Sequence, residues 1–178
     1  MKKLFVFATL IFAMCGAQAS MIWRAVAIDA SEFKNISQKQ EWLANQLERN
    51  GSDRHLDLEK SWHGIHYLIT GDPWKVSLGA GQAILGGHEF GEDMGYGPAR
   101  YLSPTEVKAI ATELGKTSPE IISSRFSIDT MEKADIYPNV WRRDGPERLK
   151  YLLVEYEELR AFYSNAAKNG LVVVIAVM

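Results

Sequence analysis

Cysteine is almost absent: the 178-residue chain has one, Cys15, so no disulfide can close within a single copy and no cysteine-based metal knuckle is available. Charge of one sign is never concentrated. The 20 Lys and Arg residues face 22 Asp and Glu residues with no long like-charge run, which excludes a nucleic-acid footprint and a polybasic membrane tether. Phosphate-cradling glycine patterns are missing too. Gly79-x-Gly81 lacks the third glycine of a dinucleotide fingerprint, since position 84 is Ile84, and no Lys-Ser/Thr ending makes a P-loop, so nucleotide binding has no support. There is no Gly-x-Ser-x-Gly and no pair of carboxylates marked out by its setting. Internal repeats, heptad seams and low-complexity tracts are also lacking.

What is present begins with an export signature. Lys2 and Lys3 precede an uncharged apolar run from Leu4 to Cys15, and Ala17 and Ala19 stand at the −3 and −1 positions of a cleavage site before Ser20. This pattern predicts a secretory signal peptide over residues 1–19, cut between Ala19 and Ser20. The run is too short for a spanning helix, which needs about 20 apolar residues, so no membrane anchor is expected in the mature form. Lipidation at Cys15 is disfavoured because Phe12, Ala13 and Met14 fit poorly the run of small residues it requires. The expected address is periplasmic or secreted. Losing Lys2 and Lys3 leaves 18 basic against 22 acidic residues, a formal charge of −4. Cleavage also removes the sole thiol. Residues 20–178 are enough for one domain with an adequate core.

Within that domain, residues 22 to 28 are apolar and β-branched apart from Arg24 and predict a first strand. Leu171 to Met178 is wholly apolar and Val-rich, the pattern of an inner strand buried on both faces. Ser37 with Gln40 is a capping box for a helix carrying Trp42, Leu43 and Leu47 and stopping at Asn50-Gly51. Asp57 is read as the cap of a second helix ending at Gly71. Ser103-Pro104-Thr105-Glu106 is the clearest helix start in the chain, combining cap, proline at N1 and glutamate at N3. Ser118-Pro119-Glu120 opens another, and a long last helix runs from near Pro146 to Asn169-Gly170 with Leu149, Leu152, Leu153, Tyr156, Leu159, Phe162 and Tyr163 at helical spacing. The expected fold is α/β of the α+β kind: one layered domain, a small mixed sheet including both terminal strands, and about five helices.

Two places can carry chemistry. At 100° per residue Leu58, Trp62, Ile65 and Ile69 make a core-facing stripe on the second helix, with Glu59, His63 and His66 together on its flank. A carboxylate and two imidazoles on one edge can hold a metal or work as an acid/base pair; equally they can be a hydrogen-bonded polar boundary, because His-x-x-His lacks the glutamate of His-Glu-x-x-His. The second place is glycine-rich. Residues 79–97 hold seven of the 14 glycines, a density that suits positive φ or close approach to the backbone. Ala83-Ile84-Leu85 before Gly86-Gly87 reads as a strand end, and Gly95-Tyr96-Gly97-Pro98 as a tight turn presenting Tyr96 next to Arg100. That pair suits recognition of a carboxylate or carbonyl; the alternative is that Tyr96 packs while Arg100 caps carbonyls or pairs with Asp93. Asp129, Glu132 and Asp135 read as a solvated helix face, and Trp141-Arg142-Arg143-Asp144 as a polar loop with Trp141 packed.

Three segments together, Asp57 to Gly71 with its Trp62-His63-Gly64-x-His66 core, Ala83 to Gly87, and Gly95-Tyr96-Gly97-Pro98-Ala99-Arg100 through Pro104, resemble the signature segments of the YfbM-like family of bacterial proteins, a domain of unknown function. The resemblance runs from about Ile22 to Met178. It implies a single α/β domain and no established reaction, and its typical members start near the equivalent of Met21, without a signal peptide. Two functions follow as expectations. One is a non-catalytic binding or interaction protein with a protein partner in the periplasm, in the manner of an immunity partner of an envelope-acting toxin, its acidic balance favouring a basic partner. The other is a small-molecule hydrolase or metal-dependent enzyme in which Glu59, His63 and His66 meet Tyr96 and Arg100. No cofactor is expected; the candidate binding residues are Trp62, His63, His66, Tyr96 and Arg100.

Overall fold

The computed structural model describes residues 20–36, 40–49 and 51–178. The expected leader over residues 1–19, the expected Ser37 cap and Asn50 lie outside the described residues. The N-terminal strand β1 (Trp23–Ile28) leads into α1 (Ala30–Ile36) and α2 (Gln40–Leu47), and the chain returns along β2 (His55–Glu59) to α3 (Trp62–Thr70). A 3-10 turn at Gly79–Gly81 and the short α4 (Gln82–Leu85) precede a hairpin of β3 (His88–Asp93) and β4 (Pro98–Leu102). Helices α5 (Pro104–Lys116), α6 (Pro119–Arg125), α7 (Ile128–Lys133), α8 (Trp141–Asp144) and α9 (Glu147–Lys168) follow, and β5 (Val172–Val177) closes the chain.

The sheet order is β2-β1-β5-β4-β3. Both terminal strands are therefore interior, with Trp23 opposite Val177 and Ile28 opposite Val172, which is why neither alternates in polarity. One face, carrying Trp23, Ala25, Leu58, Val173 and Ile175, packs on α3, α5 and α9; the other, carrying Val26, Ile28, Val172 and Val174, packs on Leu43 and Leu47 of α2. The single α+β domain is the architecture expected. Two details differ: every strand pair is antiparallel rather than mixed, and the helices number nine among the described residues because several are a turn or two long.

The Ser103 cap forms in full. Its hydroxyl accepts the Glu106 N–H and the Glu106 carboxylate accepts the Ser103 N–H at 2.8 Å. Helix α9 buries Leu152, Tyr156, Leu159, Phe162 and Tyr163 as its spacing predicts, and its last two tyrosines hydrogen-bond to Thr117 O and Ala83 O. Trp141 is fully buried, its indole N–H donating to Ile136 O at 2.6 Å.

Four local expectations are corrected, the first being that Trp141–Asp144 forms the short helix α8 rather than a polar loop. Asp57 caps no helix, because His-Leu-Asp-Leu-Glu is a strand that buries Leu56 and Leu58 and turns His55 and Asp57 outward. Its carboxylate does accept a backbone N–H two residues on, from Glu59 at 2.8 Å, but as a turn at the strand end where Glu59 takes φ 44°. Ser61 then begins α3. Ala83-Ile84-Leu85 is helical, not a strand end. Asp129 and Glu132 are on α7 as expected and hold Arg142, but Asp135 lies beyond that helix.

Candidate functional site

Since Glu59 belongs to β2, the helix edge of Glu59, His63 and His66 does not exist. Both histidines instead point from α3 into the interior, with His63 fully buried and His66 nearly so. His63 Nδ1 accepts the Tyr137 N–H at 3.0 Å, so the ring proton sits on Nε2, which donates to Pro73 O at 2.9 Å. Both ring positions are engaged in the neutral form. Burial accordingly lowers the pKa of His63, against the opposing pull of the Pro73 carbonyl and Asp135. For His66 burial is again the main cause, reinforced by His63 and resisted by Asp72 and the Lys75 backbone, and the pKa falls to about 4. Its Nε2 is buried and has no partner among the described residues.

These side chains fix the segment that follows α3. Thr70 Oγ1 donates toward Asp72 O at 2.7 Å, and the Asp72 carboxylate accepts the N–H groups of Trp74 and Lys75 at 2.9 and 2.8 Å. With the Pro73 carbonyl held by His63, Asp72 and Pro73 are tied to α3, and Trp74 and Lys75 are tied to Asp72. The consequence is the position of Trp74. Its indole lies against the His63 ring, 4.4 Å between centroids, while Trp62 stacks on that same ring at 4.9 Å. Trp62 and His63 are buried, yet Trp74 is 61% exposed. Downstream, Val76 is 44% and Leu78 90% exposed, so the strap over residues 72–78 turns three large apolar side chains to solvent at alternate positions.

Beside the strap runs a groove of about 360 Å³ lined by Trp74, Val76, Tyr96, Pro98 and Arg100 above the buried Trp23. Its far wall is the β3–β4 turn. Gly95 and Gly97 have φ of 125° and 100°, values that suit glycine, and the Asp93 carboxylate accepts the Gly95 N–H at 2.6 Å. Tyr96 is thereby held half exposed, its N–H donating to Val177 O at 3.3 Å. Arg100 donates to the carbonyls of Gly86 and Gly87 and pairs with Glu89 Oε1 at 2.7 Å. It caps carbonyls as one reading had it, but its acidic partner is Glu89, not Asp93.

The structure thus brings Trp62 and His63 to the back of Trp74, and Trp74 to the same groove as Tyr96 and Arg100. His66 is not part of the groove. Among the described residues no three His, Cys, Asp or Glu side chains are grouped so as to hold a metal, and no helix is long and apolar enough to cross a membrane. Sequence reasoning missed Trp74, whose only signal is the apolar alternation Trp74, Val76, Leu78 after Asp72-Pro73. It also missed Glu155 on α9, where burial, aided by Glu158, Glu59 and Asp57, raises the pKa to about 7 and leaves Oε2 without a partner among the described residues.

The model of a family described as a domain of unknown function, DUF1877, matches residues 20–176. No curated protein matches the chain. Among solved structures, the chain is similar to the crystal structure of a protein of unknown function, YfbM, from Escherichia coli: TM-score 0.70 and 21% identity, covering 89% of this chain and 100% of that one. At that identity the likeness shows a shared fold.

Proposed function

The chain belongs to the DUF1877 family, and from that premise we propose that it is a binding protein whose contact surface is the strap 72–78 with the groove beside it. The carrying observation is the clamping of an exposed indole, Trp74, onto a fully buried imidazole, His63. A large aromatic held rigid in solvent loses little freedom on binding, which is how interface anchors gain affinity. The two histidines of the signature motif act on this reading as supports of a recognition surface.

The partner is a protein carrying an extended segment with apolar side chains at alternate positions and basic residues beside them. The apolar half follows from Trp74, Val76 and Leu78; the basic half from the acidic, exposed strand β3, whose Glu89 lines the groove beside Arg100, and from the acidic balance of the domain. On this reading, which the export signature supports, the encounter is in the periplasm or outside the cell, in the role of an immunity-like partner of an envelope-acting toxin. The test is site-specific photo-crosslinking in the native host. A photoreactive residue at position 76 gives one defined protein adduct that disappears with Trp74→Ala, while the same residue at position 34 on α1 gives none. No adduct at position 76, or an identical one from both positions, overturns the reading.

A further inference from the structure

A second depression, of about 740 Å³, lies on the other side of Tyr96, with Lys60, Tyr137, Arg143, Asp144 and Arg148 in its wall. Its charge is unbalanced. Lys60 comes from the β2–α3 junction, Arg143 from α8 and Arg148 from the first turn of α9, so three cations from three elements converge on one space. The single carboxylate in the wall, Asp144, is shared: it binds Arg143 Nε at 2.7 Å and lies 4.0 Å from Arg148 Nη1. Lys60 has no ionic partner among the described residues. Two positive charges are left in excess, in a domain whose overall balance is acidic.

The remaining groups are suited to an oxyanion. Arg148 is held in place by its position over the Tyr151 ring, 4.7 Å to the centroid, and its Nε–H is buried without an acceptor among the described residues. Tyr137 Oη accepts the Met21 N–H at 3.1 Å, which leaves its own proton to donate. A guanidinium fixed by stacking, an ammonium and a phenol proton line one depression whose wall holds a single carboxylate, Asp144, already bound to Arg143, so charge-assisted and neutral donors outnumber the acceptors there. A surface on which such cations merely repel one another would spread them apart or pair each with a carboxylate.

We propose that this depression is a binding site for a small dianionic oxyanion, a phosphate monoester or a dicarboxylate, held by Lys60, Arg148 and the Tyr137 hydroxyl, with Arg143 at the rim. This site is separate from the strap, although Tyr96 stands between the two. Isothermal titration of the purified full chain with inorganic phosphate and, separately, with succinate, at fixed ionic strength in chloride, tests it. Saturable one-to-one binding of either anion is expected, weakened about tenfold or more by Lys60→Ala, the loss typical of one charge-assisted contact, and by less for Arg143→Gln at the rim. Lys75→Ala, an exposed lysine on the strap, leaves it unchanged. Binding of both anions identifies charge as the recognised feature; binding of phosphate alone identifies a tetrahedral head group and of succinate alone a carboxylate pair. No saturable heat from either anion, or equal affinity in Lys60→Ala judged folded by circular dichroism, overturns the proposal. Trp74→Ala retains anion binding, so failure of the strap reading and failure of this one are distinguishable.

Discussion

Acidification should destabilise the domain through His66, and the size of the effect can be worked out. An imidazole in the unfolded chain takes up a proton near pH 6.5, whereas in the fold it does so only near 4. Between those values the unfolded state binds more protons, so the stability His66 contributes is complete above pH 6.5 and is lost as pH falls toward 4. For a single site with these two values the loss between pH 7.5 and 5.0 is about 2 kcal/mol, out of about 3 in all. His63, also lowered by burial, acts with the same sign. Glu155 acts with the opposite sign. Its folded pKa of about 7 lies above the ordinary carboxylate value, so it favours the fold as pH falls; as the side chain is half exposed, about 1 kcal/mol is a fair figure after solvent screening. The native protein alone would therefore show a blunted profile. The assay is urea unfolding of the native chain, His66→Gln and Glu155→Gln at pH 7.5 and 5.0. The drop on acidification should be about 2 kcal/mol smaller in His66→Gln than in the native protein, and larger in Glu155→Gln. Parallel profiles for native and His66→Gln proteins would refute the burial of a neutral His66.

Three further perturbations have defined outcomes. Gly64→Ala puts a methyl 2.6 Å from Trp141 Cη2 inside the core, and overpacking of that kind should cost about 1–3 kcal/mol in denaturant unfolding. Ser103→Ala removes one half of the capping box on α5 and should cost about 1 kcal/mol by the same measurement. Deleting residues 172–178 removes the central strand β5 from between β1 and β4, and the far-ultraviolet and near-ultraviolet circular dichroism of the shortened chain should be those of an unfolded protein.

The parts of the fold that were legible in the sequence are those written in local signals. Ser103, Pro104 and Glu106 announce α5 within four residues, and the unbroken apolar run at 171–178 can only suit a strand covered on both faces. The start of α3 was misread for a specific reason: Leu58 continues the helical spacing of Trp62, Ile65 and Ile69 although it reaches the same core from a strand. The alternation of Leu56 and Leu58 with His55 and Asp57 was the competing signal. The candidate site was half legible. Trp62, His63, Tyr96 and Arg100 stand out as residue types, but what each does is decided by distant partners. Tyr137, 74 residues away, fixes the His63 tautomer, and the β4 residue Arg100 is directed onto Gly86 and Gly87 by the fold of the hairpin. The Lys60, Arg143 and Arg148 cluster is invisible along the chain because its members belong to three separate elements.

That the signature histidines support a recognition surface, rather than face a ligand themselves, is tested most directly by long-range proton–nitrogen NMR of the histidine rings through a pH titration. His63 should appear as the neutral Nε2–H tautomer with Nδ1 accepting and should titrate below the ordinary imidazole value, and His66 should gain no proton between pH 7.5 and 5.5. A ring that titrates near 6.5, or a His63 present as a mixture of tautomers, would mean that solvent reaches these imidazoles and would contradict the burial of both and the support of Trp74 by His63.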